Sequence, residues 1–226
     1  MICSKLLQIE VRHNRSKLLR FCFYERKDTM EQNFVWINCE KEEYLSSIDF
    51  EESTRIDGYL HNRGRCNNAL YTLMGNRWKD DHIFLIGEKQ PEDGLHWMVS
   101  DLAGKFDDLD CLGSIWFGSQ IRFRNAAELF LSDEPKEETI YYRYVINQSR
   151  REFYRRRSLK DKNMWFNPLT YLLICAEGYS KGSYGKWIGD SISVSNDDSI
   201  MKDPEYRNMT SIYVYQYFLG GEDAYR

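Results

Sequence analysis

Two stretches of this chain are built on one pattern, and a fold must accommodate both. The first is Arg77-Trp78-Lys79-Asp80-Asp81-His82-Ile83-Phe84-Leu85-Ile86-Gly87-Glu88; the second is Lys186-Trp187-Ile188-Gly189-Asp190-Ser191-Ile192-Ser193-Val194-Ser195-Asn196-Asp197. Each has a cation, then Trp, then an acid three places after it. Ile follows at five, an aliphatic at seven and a second acid at ten. Each also follows a helix-like segment that ends at a glycine, 68–75 and 167–178. Self-similarity of this kind is the mark of an internal repeat, so two pseudo-repeated halves are expected. A weaker third echo, at Trp116 to Phe123, keeps the spacing without the acids.

Within each stretch, local chemistry predicts a helix feeding a strand. Asp81, Ile83 and Leu85 alternate with His82, Phe84 and Ile86, which is strand periodicity. Upstream of the second Trp, Asn167 suits a helix cap and Pro168 the first helical position. Leu169, Leu172 and Leu173 make an apolar stripe. The Trp then plugs the corner between helix and strand.

The same rules parse the rest of the chain. Residues 5–11 and 17–25 read as a hairpin, 33–39 as a strand, and 67–74 as a helix. Residues 82–87 and 95–100 flank Pro91-Glu92-Asp93-Gly94, a turn sequence, and are expected to pair. Further strands are expected at 114–123, 139–146 and 211–218. Asn125 should cap a short helix through Leu131, and 149–160 reads as a basic helix. The fold class expected is α+β, with mostly antiparallel sheets and several short helices, divided into halves 1–110 and 111–226.

With 42% hydrophobic and 15% aromatic residues the chain is globular, and its net charge of −4 disfavours a general nucleic-acid binder. Its six cysteines are scattered, with no C-x-x-C, and the first residues are broken by Lys5, Gln8 and Glu10. Free thiols, a cytoplasmic location and no membrane span are therefore expected. No motif calls for a cofactor.

Few strings carry chemistry. Gly178-Tyr179-Ser180-Lys181-Gly182 spells a hydrolase elbow but lies after a helix, and all four histidines precede it. The same loop lacks phosphate-loop spacing, and Asp108 to Gly113 lacks the ligands of a calcium loop. One acidic constellation remains. If the 82–100 hairpin pairs about Pro91, Asp81 faces Asp101 with His82 alongside, and if the halves are duplicates Asp190 is the equivalent of Asp81. Such a group can hold a divalent ion that activates water, as a metal-dependent phosphodiesterase or nuclease would.

Against that stands a reading without catalysis and without a metal. Tyr213, Tyr215 and Tyr217 share a face of the last expected strand, with Tyr142 and Tyr144 as neighbours, and Arg151 and Arg155 lie in the basic segment. Tyr and Arg anchor protein interfaces, so these residues are expected to bind another protein. The segment from Arg150 to Lys162 is also a possible nucleic-acid contact, disfavoured by the net charge, and a homodimer is compatible with the same faces. The expected function is a protein-binding module of inhibitor, immunity or adaptor type.

Overall fold

The computed structural model describes residues 32–38, 40–60, 64–87, 123–131, 141–156, 167–176, 179 and 185–213. All belong to one compact unit, Gln32–Arg226. The expected hairpin at 5–25, the second strand (95–100) of the hairpin expected at 82–100, the echo at Trp116, and the boundary near residue 110 lie outside the described residues.

The described residues form an α+β fold with two sheets. Taking residues 32–131 as the first half and 141–213 as the second, the first contributes in chain order β1 (Phe34–Asn38), β2 (Glu43–Leu45), a 3-10 turn (Ser47–Phe50), α1 (Ile56–Leu60), α2 (Arg65–Gly75), β3 (Ile83–Gly87), β4 (Arg124–Asn125) and α3 (Glu128–Leu131). The second contributes β5 (Tyr144–Asn147), β6 (Glu152–Arg155), α4 (Pro168–Leu172), β7 (Ile174–Cys175), β8 (Ile192–Ser195), a 3-10 turn (Asp198–Met201) and β9 (Arg207–Asn208). One sheet runs β4-β2-β1-β3-β7 and the other β8-β5-β6-β9. The central pairings are antiparallel, but β2/β4, β3/β7 and β6/β9 are parallel, so both sheets are mixed.

Local sequence accounts for several boundaries. Asn167 accepts a hydrogen bond from Leu169 N–H and Pro168 opens α4, as a cap should. Asn125 accepts from Ala127 N–H at 2.9 Å and starts α3. The start of α2 has no capping side chain of its own; Glu52, thirteen residues earlier, accepts from Arg65 N–H and from Cys66 N–H at 3.1 Å.

Three expectations are corrected. The basic segment 149–160 is not a helix where it is described: 152–155 is strand β6, paired with β5 from Tyr144↔Arg155 to Asn147↔Glu152. Arg151 takes the left-handed conformation (φ 53) that lets the chain double back there. Residues 210–213 are helical and not the start of a strand. Asn208 supplies the reason, accepting from Thr210 N–H at 3.0 Å as a cap does. Finally, α4 stops at Leu172, and the chain continues into β7, which joins β3 of the other half.

The core lies where the two halves meet. Trp36, Trp78, Trp187, Tyr59, Tyr71, Tyr154 and Leu70 are all fully buried in one cluster that draws on both halves. Strands β1 and β3 are buried along every residue, so the alternation in their sequence does not separate a wet face from a dry one.

Candidate functional site

The two Trp stretches are positioned by one network of contacts that occurs twice. At the base of the β1–β2 hairpin Asn38 lies opposite Glu43, and at the base of β5–β6 Asn147 lies opposite Glu152. Asn38 Oδ1 accepts from Lys41 N–H at 3.0 Å, and Asn147 Oδ1 accepts from Arg150 N–H at 2.9 Å. The same amides donate to the motif acids: Asn38 Nδ2 to Asp81 at 2.9 Å and Asn147 Nδ2 to Asp190 at 2.8 Å, each across 43 residues. Lys41 then pairs with Asp81 and Arg150 with Asp190.

Behind this surface layer each half buries one carboxylate. Glu43 is 3% exposed and Glu152 8% exposed. The indole N–H of Trp78 donates to Glu43 at 2.8 Å and that of Trp187 to Glu152 at 3.1 Å, each across 35 residues. Arg124, at the start of β4, pairs with Glu43 at 3.3 Å; Arg207, at the start of β9, pairs with Glu152. Both Trp residues are completely buried. A buried ion is tolerated only when donors replace its lost water, and here each carboxylate has an indole and at least one guanidinium.

The electrostatics follow. Burial alone pushes the Glu43 carboxyl up. Its hydrogen bonds from Arg77 and Trp78 and the charges of Arg77 and Arg124 outweigh that and hold it below its usual value. Glu152 is likewise pushed up by burial and brought down further by Arg207, Trp187 and Tyr213. Both are ionised structural anions. Two thiols behave oppositely: burial drives Cys66 well above its usual range and Cys175 up to about 12, and neither is in a disulfide.

The residues expected to form a metal site are only partly brought together. His82 bridges to Ser191 in antiparallel fashion, which carries Asp81 and Asp190 to the same seam. Each carboxylate is nonetheless engaged by the Asn and the cation of its own half, while His82 Nδ1 contacts Glu40. Among the described residues no group of three His, Cys, Asp or Glu side chains is placed to hold a metal ion. Asp101 lies outside the described residues.

The expected tyrosine surface is corrected. Tyr213 is 1% exposed and donates to Glu152 at 3.1 Å. Tyr144 is also buried, with its hydroxyl on Asp198, and Tyr142 is buried against Gly75, where an added Cβ would lie 2.0 Å from the Tyr142 hydroxyl. The hydroxyls of Tyr213 and Tyr144 meet partners within the chain, which removes the reason to expect them at the surface. Tyr215 and Tyr217 lie outside the described residues. Of the arginines, Arg151 is half-exposed and pairs with Glu205, and Arg155 is partly buried. Arg156 is 1% exposed, its guanidinium 3.4 Å from the Tyr71 ring centre and 4.8 Å from that of Tyr141. That cation packs the core and is not available to a phosphate.

Sequence reasoning passed over Glu43 and Glu152, which read as ordinary surface acids. The signal that finds them is their shared place five residues after an Asn and 35 before a Trp. Arg124-Asn125 and Arg207-Asn208 were also passed over as a matched pair.

An α+β protein with two carboxylate–indole locks is what the fold and the site define. No known family, curated protein or solved structure matches the chain. Among the described residues no helix is long and apolar enough to cross a membrane.

Proposed function

We propose that the protein works by binding another protein, as an inhibitor, immunity protein or adaptor does, and performs no catalysis. The observation that carries this is an aliphatic surface on the first half. Ile48 is 62% exposed on the first 3-10 turn, and Leu129 and Leu131 are each 39% exposed on α3. The turn and the helix are tied together by Asn125 donating to Asp49 at 3.2 Å and by Phe50 packing on Phe130 with ring centres 6.4 Å apart. Phe50 and Phe130 face the core, which leaves Ile48, Leu129 and Leu131 directed outward. Isolated exposed aliphatics are common, but three on two joined elements form a candidate contact surface.

Charge suggests the chemistry of the partner. Asp49, Glu51 and Glu128 lie on the same two elements or beside them. Burial raises the Asp49 carboxyl; the Asn125 hydrogen bond opposes that shift and the nearby Glu128 charge adds to it. A protein presenting apolar side chains ringed by Lys or Arg fits this surface. The engagement of Asp81 and Asp190 by their own cations supports binding over metal-assisted hydrolysis.

Quantitative affinity capture from the native host, comparing the natural chain with Ile48→Lys/Leu131→Lys, tests the reading. A stoichiometric protein partner lost in the variant, with an unchanged melting temperature, is the expected result. Retention of the partner by the variant, or phosphodiester hydrolysis by the natural chain that Asp81→Asn removes, overturns it.

A further inference from the structure

We propose that the two matched sets of residues are two copies of one ancestral unit, and that the copies meet across a local two-fold axis through the His82–Ser191 bridge. The chain is then a fused dimer, and the surface through which one unit would pair with another is filled by its own second copy.

The correspondence runs far beyond the Trp stretches. Asn38, Glu40, Lys41, Glu43, Trp78, Asp81, His82 and Ile83 match Asn147, Ser149, Arg150, Glu152, Trp187, Asp190, Ser191 and Ile192, always 109 positions on (38 to 147, 43 to 152, 78 to 187, 83 to 192). Backbone details follow the same shift. Glu42 and Arg151 both take positive φ (51 and 53), as do Asp80 and Gly189 (64 and 77). Glu40 accepts from His82 N–H at 3.2 Å where Ser149 accepts from Ser191 N–H at 2.9 Å. Each return strand is an Arg-Asn pair running parallel to its hairpin, and each Asn caps the helical turn that follows. The link from helix to Trp is made alike at a different spacing: Leu73 O accepts from Trp78 N–H, five residues on, at 2.7 Å, and Leu172 O from Trp187 N–H, fifteen residues on, at 2.8 Å.

The two-fold follows from which residues touch. His82 and Ser191 occupy the same place in the two units, and they bridge to each other antiparallel. An isologous contact of like with like is what two-fold symmetry produces, whereas a head-to-tail arrangement would place unlike residues together. The units also touch beyond the bridge, by contacts that differ in kind. Helix α2 of the first unit packs on β8 of the second, and β7, which follows α4 of the second, extends β3 of the first. Strands β3 and β8 are themselves a matched pair. The partner this surface fits is therefore another copy of the unit.

Two measurements on the full chain test the proposal together. In a crystal structure of the chain, superposing residues 34–38, 43–45 and 78–87 on 143–147, 152–154 and 187–196 is expected to need a rotation of about 180°. A rotation far from a half-turn, or strands that fail to align, overturns it. Separately, a protease site placed between Leu131 and Tyr141 allows the folded chain to be nicked between the units. The nicked pieces are expected to elute together from gel filtration with circular dichroism unchanged. Separation into folded fragments, or loss of structure on cleavage, overturns the claim that the seam is a docking surface between two units.

Discussion

Glu43 and Glu152 hold corresponding places, yet their company differs. Glu43 is met by Arg77 and Arg124 together with the Trp78 indole. Glu152 is met by Arg207, the Trp187 indole and the Tyr213 hydroxyl. Position 77 is Lys186 in the second half, and Tyr213, five residues after its Asn, stands where the first half has Phe130. One half thus combines an extra arginine with a phenylalanine, and the other combines a lysine with a tyrosine. A buried carboxylate needs a fixed supply of donors, and the source of the third donor is free to move. The indole and the return-strand arginine stay in place because they also hold the helix–strand corner and the sheet edge.

The largest effect should come from the tryptophans. Trp78→Ala and Trp187→Ala are each expected to cost about 3–5 kcal/mol in urea unfolding. Trp187 sits among rings, with centres 6.0 Å from Tyr154 and 5.7 Å from Tyr213, so its loss should cost a further ~0.5–1.5 kcal/mol. Equal costs would mean that the aromatic surroundings of the second half contribute nothing beyond area.

Removing either carboxylate should come next. Glu43→Ala and Glu152→Ala each leave a buried indole N–H and an arginine without their acceptor, for a loss of about 2–3 kcal/mol. The donors themselves offer a sharper comparison. Tyr213→Phe should cost about 1 kcal/mol, because it removes one donor while keeping the ring. Adding Lys186→Arg to that variant recreates the residue pair of the first half. A double-mutant cycle is expected to show positive coupling, and strict additivity would break the argument that the third donor is exchangeable.

Acid should affect both locks with the same sign. Each carboxyl lies below its usual value of 4.5 in the folded chain, so each adds stability that is present above that value. That stability is lost as pH falls through the lowered folded values. The melting temperature is therefore expected to drop on acidification from about pH 4.5 downward, and Glu43→Gln/Glu152→Gln should flatten the slope. The smallest effect is chemical: Cys66 and Cys175, kept protonated by burial, should stay unlabelled by iodoacetamide at neutral pH while the chain is folded. Rapid labelling of Cys175 alone would show that the β7 attachment opens.

Local sequence determined the elements whose cause lies within a few residues. The caps at Asn125 and Asn167, the helix leading to Trp78 and the strand from Ile83 depend on side chains reaching their own backbone or on simple alternation, and all four were legible. So was the likeness of the two Trp stretches. The segment at 152–155 was not, because Phe153, Tyr154 and their arginines fit a helix or a strand equally until β5 supplies a partner. The same holds for Tyr144 and Tyr213, whose exposure could not be read from alternation while their acceptors, Asp198 and Glu152, lay 54 and 61 residues away. Glu43 and Glu152 are the clearest case. As letters they are two acids among 35, and only the tertiary fold decides that they are buried. Burial is a property of everything that packs around a residue, and here that includes an indole 35 positions on and an arginine from the returning strand.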